Sequence, residues 1–241
     1  MTANAKRNAA LRRSSRETDI VLALDLDGGE IEVDTGVGFL DHMLRSLALH
    51  AGWGLRLACS GDLEVDEHHS VEDCALALGE ALSRSLAAGP SPKRFGTAYA
   101  PLDESLARAV VDLSGRPYCV AELGLAGARL GELAGENVAH FLYSLAMAAR
   151  LTLHVDVLRG ENAHHRAEAA FKALALALRE ASAPAAGAVD GGGAGRGGEG
   201  RAANSPTSAK GNVALETMSE ADFADRARAV LARRGARGGR Q

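Results

Sequence analysis

Apolar positions along this chain follow two rhythms, and the rhythms alternate twice in the same order. Ile20-Val21-Leu22-Ala23-Leu24 and Glu30-Ile31-Glu32-Val33, parted by Asp27-Gly28-Gly29, predict two short strands within residues 17–34. Thr35-Gly36-Val37-Gly38 interrupts the pattern. Phe39, Met43 and Leu47 then share a helical face that runs to about His50. Leu55–Ala58 and Leu63–Val65 predict a hairpin, a helix follows from about His68 to Ala87, and Pro90-Ser91-Pro92 is a linker. The second half restates this order. Ala109–Leu113 and Tyr118–Glu122 are strand-like around Ser114-Gly115-Arg116-Pro117. A helix from Asn137 to about Arg150, a strand over Leu151–Val157 and a helix from about His164 to Ala181 complete it.

The repetition extends to individual residues. His42-Met43-Leu44-Arg45-Ser46-Leu47-Ala48-Leu49 aligns without gaps to His140-Phe141-Leu142-Tyr143-Ser144-Leu145-Ala146-Met147. In the same register Leu55-Arg56-Leu57 meets Leu153-His154-Val155. One supersecondary unit is therefore used twice. The ends differ in character. Residues 1–14 are a basic arm, 15–95 and 96–182 the two half-domains, and 183–204 a Gly/Ala-rich flexible insert that cannot pack a core. Residues 205–215 form a short Ser-Ala-Lys-Gly segment and 216–241 a C-terminal extension, whose part from about Ser219 predicts one polar, basic-ended helix.

The most specific chemical signal lies at the start of the last helix of each half. His68-His69-Ser70-Val71-Glu72 and His164-His165-Arg166-Ala167-Glu168 both read His-His-x-x-Glu. Positions i and i+4 share a helical face, so His68 converges with Glu72 and His164 with Glu168, while the second histidine of each pair points elsewhere. Imidazole with carboxylate suits a divalent transition metal. His42 and His154 are drawn toward these sites by the repeat and by position. His50 and His140 read as structural. The third histidine then comes from a helix start in the first half and from a strand in the second. Six histidines and two glutamates give two ions four protein ligands each, leaving open positions of the kind a catalytic site keeps.

Charge and cysteine content narrow the field. Charged residues are 24% of the chain and the net charge is -4, so the broad basic excess of a nucleic-acid binder is absent. Cys59, Cys74 and Cys119 are an odd set without CxxC spacing, which fits a reduced interior. No apolar run reaches the roughly 18 residues needed to span a bilayer, and the basic N-terminus lacks a secretory apolar core. A cytoplasmic protein is expected, or a plastid one if a transit sequence has been trimmed. Arg94, Arg116, Lys172 and Lys210 are each ordinary surface cations alone, but gathered round a dication site they would hold an anion such as phosphate.

Several longer segments resemble the imidazoleglycerol-phosphate dehydratase family: Arg16-Glu17-Thr18, Asp34 to Leu44, Gly61 to Asp73, Arg94-Phe95-Gly96, Pro101 to Glu104, Asp112 to Tyr118, Leu153-His154, Asn162 to His165, and Phe171-Lys172-Ala173. The resemblance covers roughly residues 13–182 and Ser208–Gly211. It implies an α+β fold of two duplicated half-domains, each a small mixed sheet with two helices, the helices lying between the sheets. It implies a large homo-oligomer, commonly a 24-mer, with sites between subunits. It implies two Mn2+ ions per site held by His42, His68, His69, Glu72, His154, His164, His165 and Glu168, and phosphate recognition by Arg94, Arg116, Lys172, Ser208 and Lys210. The expected reaction converts imidazole glycerol phosphate to imidazole acetol phosphate and water, the metals favouring an imidazolate that expels the adjacent hydroxyl. Glu17 and Glu168 are the two candidates for the acid-base group. A two-metal phosphohydrolase and a non-catalytic metal-binding protein are the competing readings. The chain departs from the family at Ser46, at Ala209 and in the length of the Gly-rich insert.

Overall fold

A computed structural model describes residues 6–185, 213–219 and 221–238. The first half contains β1 (Asn8–Ser14), β2 (Asp19–Asp25), β3 (Ile31–Asp34), α1 (Gly38–Ala51), β4 (Gly54–Ser60) and α2 (His68–Ala88). The second contains β5 (Phe95–Leu102), β6 (Ser105–Asp112), β7 (Tyr118–Glu122), the short ribbon β8 (Arg129–Leu130) and β9 (Leu133–Ala134), α3 (Gly135–Ala149), β10 (Thr152–Arg159) and α4 (Ala163–Ser182). After the insert come β11 (Ala214–Thr217) and α5 (Phe223–Gly238).

The duplication is complete at the level of topology. The first sheet runs β1-β2-β4-β3 and the second β5-β6-β10-β7. In each, the third strand in sequence pairs in parallel with the last, β3 with β4 and β7 with β10, and the other pairs are antiparallel. A parallel neighbour requires a crossover, and α1 and α3 supply it. The helices lie between the sheets as expected. α2 packs on β1 and β2, α4 on β5 and β6, and the halves interlock because α2 packs against α3 and α1 against α4.

The buried stripes explain this layering. Leu40, Met43, Leu44, Leu47 and Ala48 bury one side of α1, and Phe141, Leu142, Leu145 and Ala146 the matching side of α3. α2 and α4 have broad faces of Ala and Leu, with Gly79 in α2, which let helices approach closely. At Gly79 of α2, an added Cβ would stand 2.7 Å from both Ala148 Cβ and Leu145 O of α3.

Several local expectations are corrected. Residues 8–14 are not a loose arm: they form β1, paired along its length with β2. Leu63–Val65 lies in a turn, so β4 has no hairpin partner there. The sequence pattern does not predict β5 or the first residues of β6, because Pro101 and an exposed, aromatic face hide the strand rhythm. β11 extends the first sheet beside β1. The expected C-terminal helix is present as α5 and covers the outer face of the first sheet, with Phe223, Val230 and Met218 closing over Val21, Ala23 and Ala58. Most of the Gly-rich insert, together with Ser208 and Lys210, lies outside the described residues.

Candidate metal centre

Two clusters of side chains that could hold a metal ion sit on the two interlocked helix pairs. In the first, His42 from α1 meets His164 and Glu168 from α4. In the second, His140 from α3 meets His68 and Glu72 from α2. Within each cluster one ligand atom from every residue lies within 4.8 Å of the others. His42 Nε2 and His164 Nε2 stand 3.1 Å and 3.2 Å from Glu168 Oε2. His140 Nε2 stands 3.9 Å from Glu72 Oε1, and its ring stacks on His68 at 4.7 Å. Two imidazoles and one carboxylate at this spacing fit a divalent transition metal.

His140, structural by the sequence pattern alone, is a member of the second cluster. Its ungapped alignment with His42 was the signal that locates it. His154 shares neither cluster among the described residues. It stands on the outer face of β10, exposed, with Tyr118 as its ring neighbour at 6.4 Å. The expected asymmetry, a helix start in one half and a strand in the other, is replaced by equivalence: α1 and α3 each contribute one histidine from the same repeat position.

The second histidines, His69 and His165, belong to neither cluster, and each is gripped by a carboxylate through Nδ1. Asp62 Oδ2 is 3.0 Å from His69 Nδ1, and Glu104 Oε2 is 2.7 Å from His165 Nδ1. Asn137 Oδ1 does the same for His68 at 3.0 Å. An Nδ1–H bound to an oxygen fixes the tautomer and leaves Nε2 as the nitrogen with the lone pair. Bonds from His165 and from the backbone N–H of Asn162 hold the Glu104 carboxyl at about 2, and the same carboxylate raises the His165 imidazole. Local capping places the pair: Asn162 Oδ1 accepts from the N–H groups of His164 and His165 and starts α4. In α2 that bond comes from Asp66, which accepts from His68 N at 2.8 Å.

Lys172 is drawn into the first cluster, with Nζ 2.8 Å from Glu168 Oε1. Burial pushes the Glu168 carboxyl up, but hydrogen bonds from Lys172 and His42 outweigh it and hold the group at about 2. Glu17 stands in the β1–β2 turn with Oε1 3.9 Å from His69 Nε2. The repeat-related β5–β6 turn carries Glu104, so each half aims a hairpin carboxylate at its second histidine. Arg94 and Arg116 gather elsewhere, around Asp112: Arg94 Nε donates to Asp112 Oδ1 at 2.7 Å, and Arg116 Nη2 lies 3.9 Å from Oδ2. Arg116 is 78% exposed.

Comparison with known proteins converges on one family. The family model described as Imidazoleglycerol-phosphate dehydratase matches residues 35–178. The Candida glabrata imidazoleglycerol-phosphate dehydratase is 54% identical over 195 residues, spanning 73% of this chain and 93% of the relative. The Saccharomyces cerevisiae enzyme of the same name is 49% identical, spanning 74% and 93%. The solved structure of the Staphylococcus aureus imidazoleglycerol-phosphate dehydratase superposes with a TM-score of 0.66 at 36% identity, covering 73% of this chain and 99% of that one. The Pyrococcus furiosus structure gives 0.64 at 39% identity, covering 73% and 94%. With the duplicated fold and the paired histidine-glutamate clusters, these matches show that the chain belongs to the imidazoleglycerol-phosphate dehydratase family.

Proposed function

We propose that this chain dehydrates imidazole glycerol phosphate to imidazole acetol phosphate, with two divalent cations, Mn2+ by expectation, held by the clusters His42-His164-Glu168 and His68-Glu72-His140. The observation that carries the reading is the occurrence of the same His2Glu donor set twice, at repeat-related positions. His69 and His165 are the remaining ligands in this proposal. Each has its Nδ1 committed to a carboxylate and sits apart from its own chain's clusters, which favours coordination of an ion held by a neighbouring copy.

That arrangement requires self-association, and we propose a large homo-oligomer, with a 24-mer as the expected form. Phe95, Tyr99 and Tyr118 support it: all three are exposed on the outer face of the second sheet, which no described element covers.

Bound in these clusters, the cations supply Lewis acidity toward the ring nitrogens of the substrate. The chain must then remove the proton from the carbon beside the departing hydroxyl. Between the two candidate carboxylates, Glu168 is committed to His42, His164 and Lys172 and is held at about 2. Glu168 is therefore assigned as ligand, and Glu17, whose Oε1 stands 3.9 Å from His69 Nε2, as the proton acceptor. Arg94 and Arg116 are assigned to the phosphate, where paired guanidiniums suit its geometry. Lys172, Ser208 and Lys210 complete that set. His154 takes no role in this reading.

The test is formation of the enolisable ketone from imidazole glycerol phosphate with added Mn2+, repeated after chelation. The expected result is turnover that chelation abolishes and Mn2+ restores. Release of inorganic phosphate without ketone would overturn the proposal in favour of a phosphohydrolase.

A further inference from the structure

The helix α5 lies outside the residues that the family model matches, 35–178, yet it reaches the two turns on which the proposed chemistry depends. It is attached in two ways. Its first half is seated by apolar contact, Phe223 and Val230 lying on Val21, Ala23 and Ala58, with Arg56 stacked over the Phe223 ring at 4.5 Å. Its last turns are held by ion pairs, and both go to segments that lead into the metal centre.

Arg234 grips the turn before α1. Its Nη1 donates to Asp34 Oδ1 at 2.5 Å and its Nη2 to Asp34 Oδ2 at 2.8 Å, a two-pronged contact. The same guanidinium lies on Gly36, where an added Cβ would come within 3.1 Å of Nη1. Gly36 has φ +84°, so this turn already needs glycine. It closes on α1 through Thr35, whose N and Oγ1 both donate to Asp41 Oδ1, at 2.7 Å and 2.6 Å. Asp41 precedes His42.

Arg233 grips the other turn. Its Nη1 donates to Asp19 Oδ2 at 2.6 Å, a carboxylate that Arg12 also binds through two nitrogens. Asp19 starts β2, two residues after Glu17. Thr18 between them donates to Asp73 Oδ2 at 2.5 Å, and buried Asp73, next to Glu72, accepts from Arg13 at 2.8 Å. The tip bearing Glu17 is thus held from inside by Asp73 and from outside by Arg233.

Resting on the dehydratase reading, we propose that α5 is a clasp, and that Arg233 and Arg234 are positioning residues that hold the Glu17 turn and the His42 turn in working geometry. The ion pairs are partly exposed and so open to screening by salt. The apolar seat of α5 does not involve either arginine, so the helix stays docked when both are removed.

The experiment uses the full chain loaded with Mn2+ and compares wild type, Arg234→Lys and the double variant Arg233→Ala/Arg234→Ala. In the double variant kcat should fall about 3- to 10-fold, with KM and bound metal near wild type. Arg234→Lys should lie between, because lysine cannot make the two-pronged contact. Wild type in about 0.5 M NaCl should move toward the double variant. Hydrogen exchange at the amides of Thr18, Thr35 and Val37 should speed up by about the same factor, with exchange in α2 and α4 unchanged. Unchanged kcat and exchange would overturn the clasp, as would a loss of kcat that only tracks loss of metal. If the double variant does not fold, the lysine variant and the salt series decide alone. If wild type makes no ketone, the dehydratase reading fails while the exchange comparison still judges the clasp.

Discussion

Replacing Gly79 with alanine tests whether the α2–α3 crossing supports one metal cluster separately from the other. The new methyl carbon would stand 2.7 Å from Ala148 Cβ, 2.7 Å from Leu145 O and 2.8 Å from Ala149 N, where ordinary contact begins at 3.4 Å. Two of these three atoms are backbone, so no side-chain rotation relieves the overlap and the helices must part by about 0.7 Å. Overpacking costs about 1–3 kcal/mol, and this geometry belongs at the upper end. Alanine in a helix recovers about 1 kcal/mol over glycine. The balance is a loss of about 2 kcal/mol, which for a chain of this size lowers Tm by about 4–8 °C. The same seam carries His68 and Glu72 on one side and His140 on the other, so the affinity of that cluster for Mn2+ should drop while His42-His164-Glu168 binds as before. Ala175 holds the repeat-equivalent position on α4 and is fully buried without glycine's help. Ala175→Gly should therefore cost about 1 kcal/mol through backbone freedom and spare both ions. Scanning calorimetry of metal-free protein and calorimetric titration with Mn2+ measure both effects. A Gly79→Ala protein with unchanged melting and two normal binding events would refute the argument.

Other outcomes follow from the same geometry. His140→Ala should bind about half the wild-type Mn2+ and lose turnover; full metal content measured by atomic absorption would remove it from the ligand set. Glu104→Gln should weaken Mn2+ binding about 10- to 100-fold by releasing the His165 ring, and an unaltered titration would refute that orienting role. In metal-free protein the raised His165 imidazole stabilises the fold below the ordinary imidazole pKa of about 6.5, and that contribution disappears as pH rises through its raised value. Melting curves of the stripped protein should show this decline and Glu104→Gln should flatten it, whereas Mn2+ binding should strengthen over the same range as ligands lose protons. Asn162→Ala should cost about 1 kcal/mol through loss of the α4 cap, read as a lower urea midpoint. Arg116→Ala should raise KM with little change in kcat; an unchanged KM would count against a phosphate contact.

The repeat was legible in the chain because it is written in side chains that must match: the His-His-x-x-Glu segments and the eight-residue alignment beginning at His42 and His140. The helices were legible too, since α1, α2, α3 and α4 each bury a wide apolar stripe. The edge strands were not. β1 carries Arg12 and Arg13, whose charges read as a solvated arm until Asp19 and Asp73 are seen beside them. β5 alternates large exposed residues with small buried ones, which inverts the usual strand signal. His140 has only a weak claim in the sequence, since it lies outside both His-His-x-x-Glu segments, and the α2–α3 crossing is what brings it to His68. His154 was overvalued for its closeness in sequence to His164, although β10 turns its ring to the opposite face of the sheet from α4. The ion pairs of Arg233 and Arg234 span 214 and 200 residues, beyond the reach of any local pattern.

Each metal cluster takes residues from both halves: His42 from the first joins His164 and Glu168 from the second, and His68 and Glu72 from the first join His140 from the second. Neither half on its own is a binding unit. A half-length ancestor with this motif would have gained its first site only by pairing with itself, and would then have carried two identical ones. Within one chain the two copies need not be identical. Asp73, buried behind the Glu17 turn, stands where the second copy has Ala169, a difference that a symmetric pair of half-chains could not have kept.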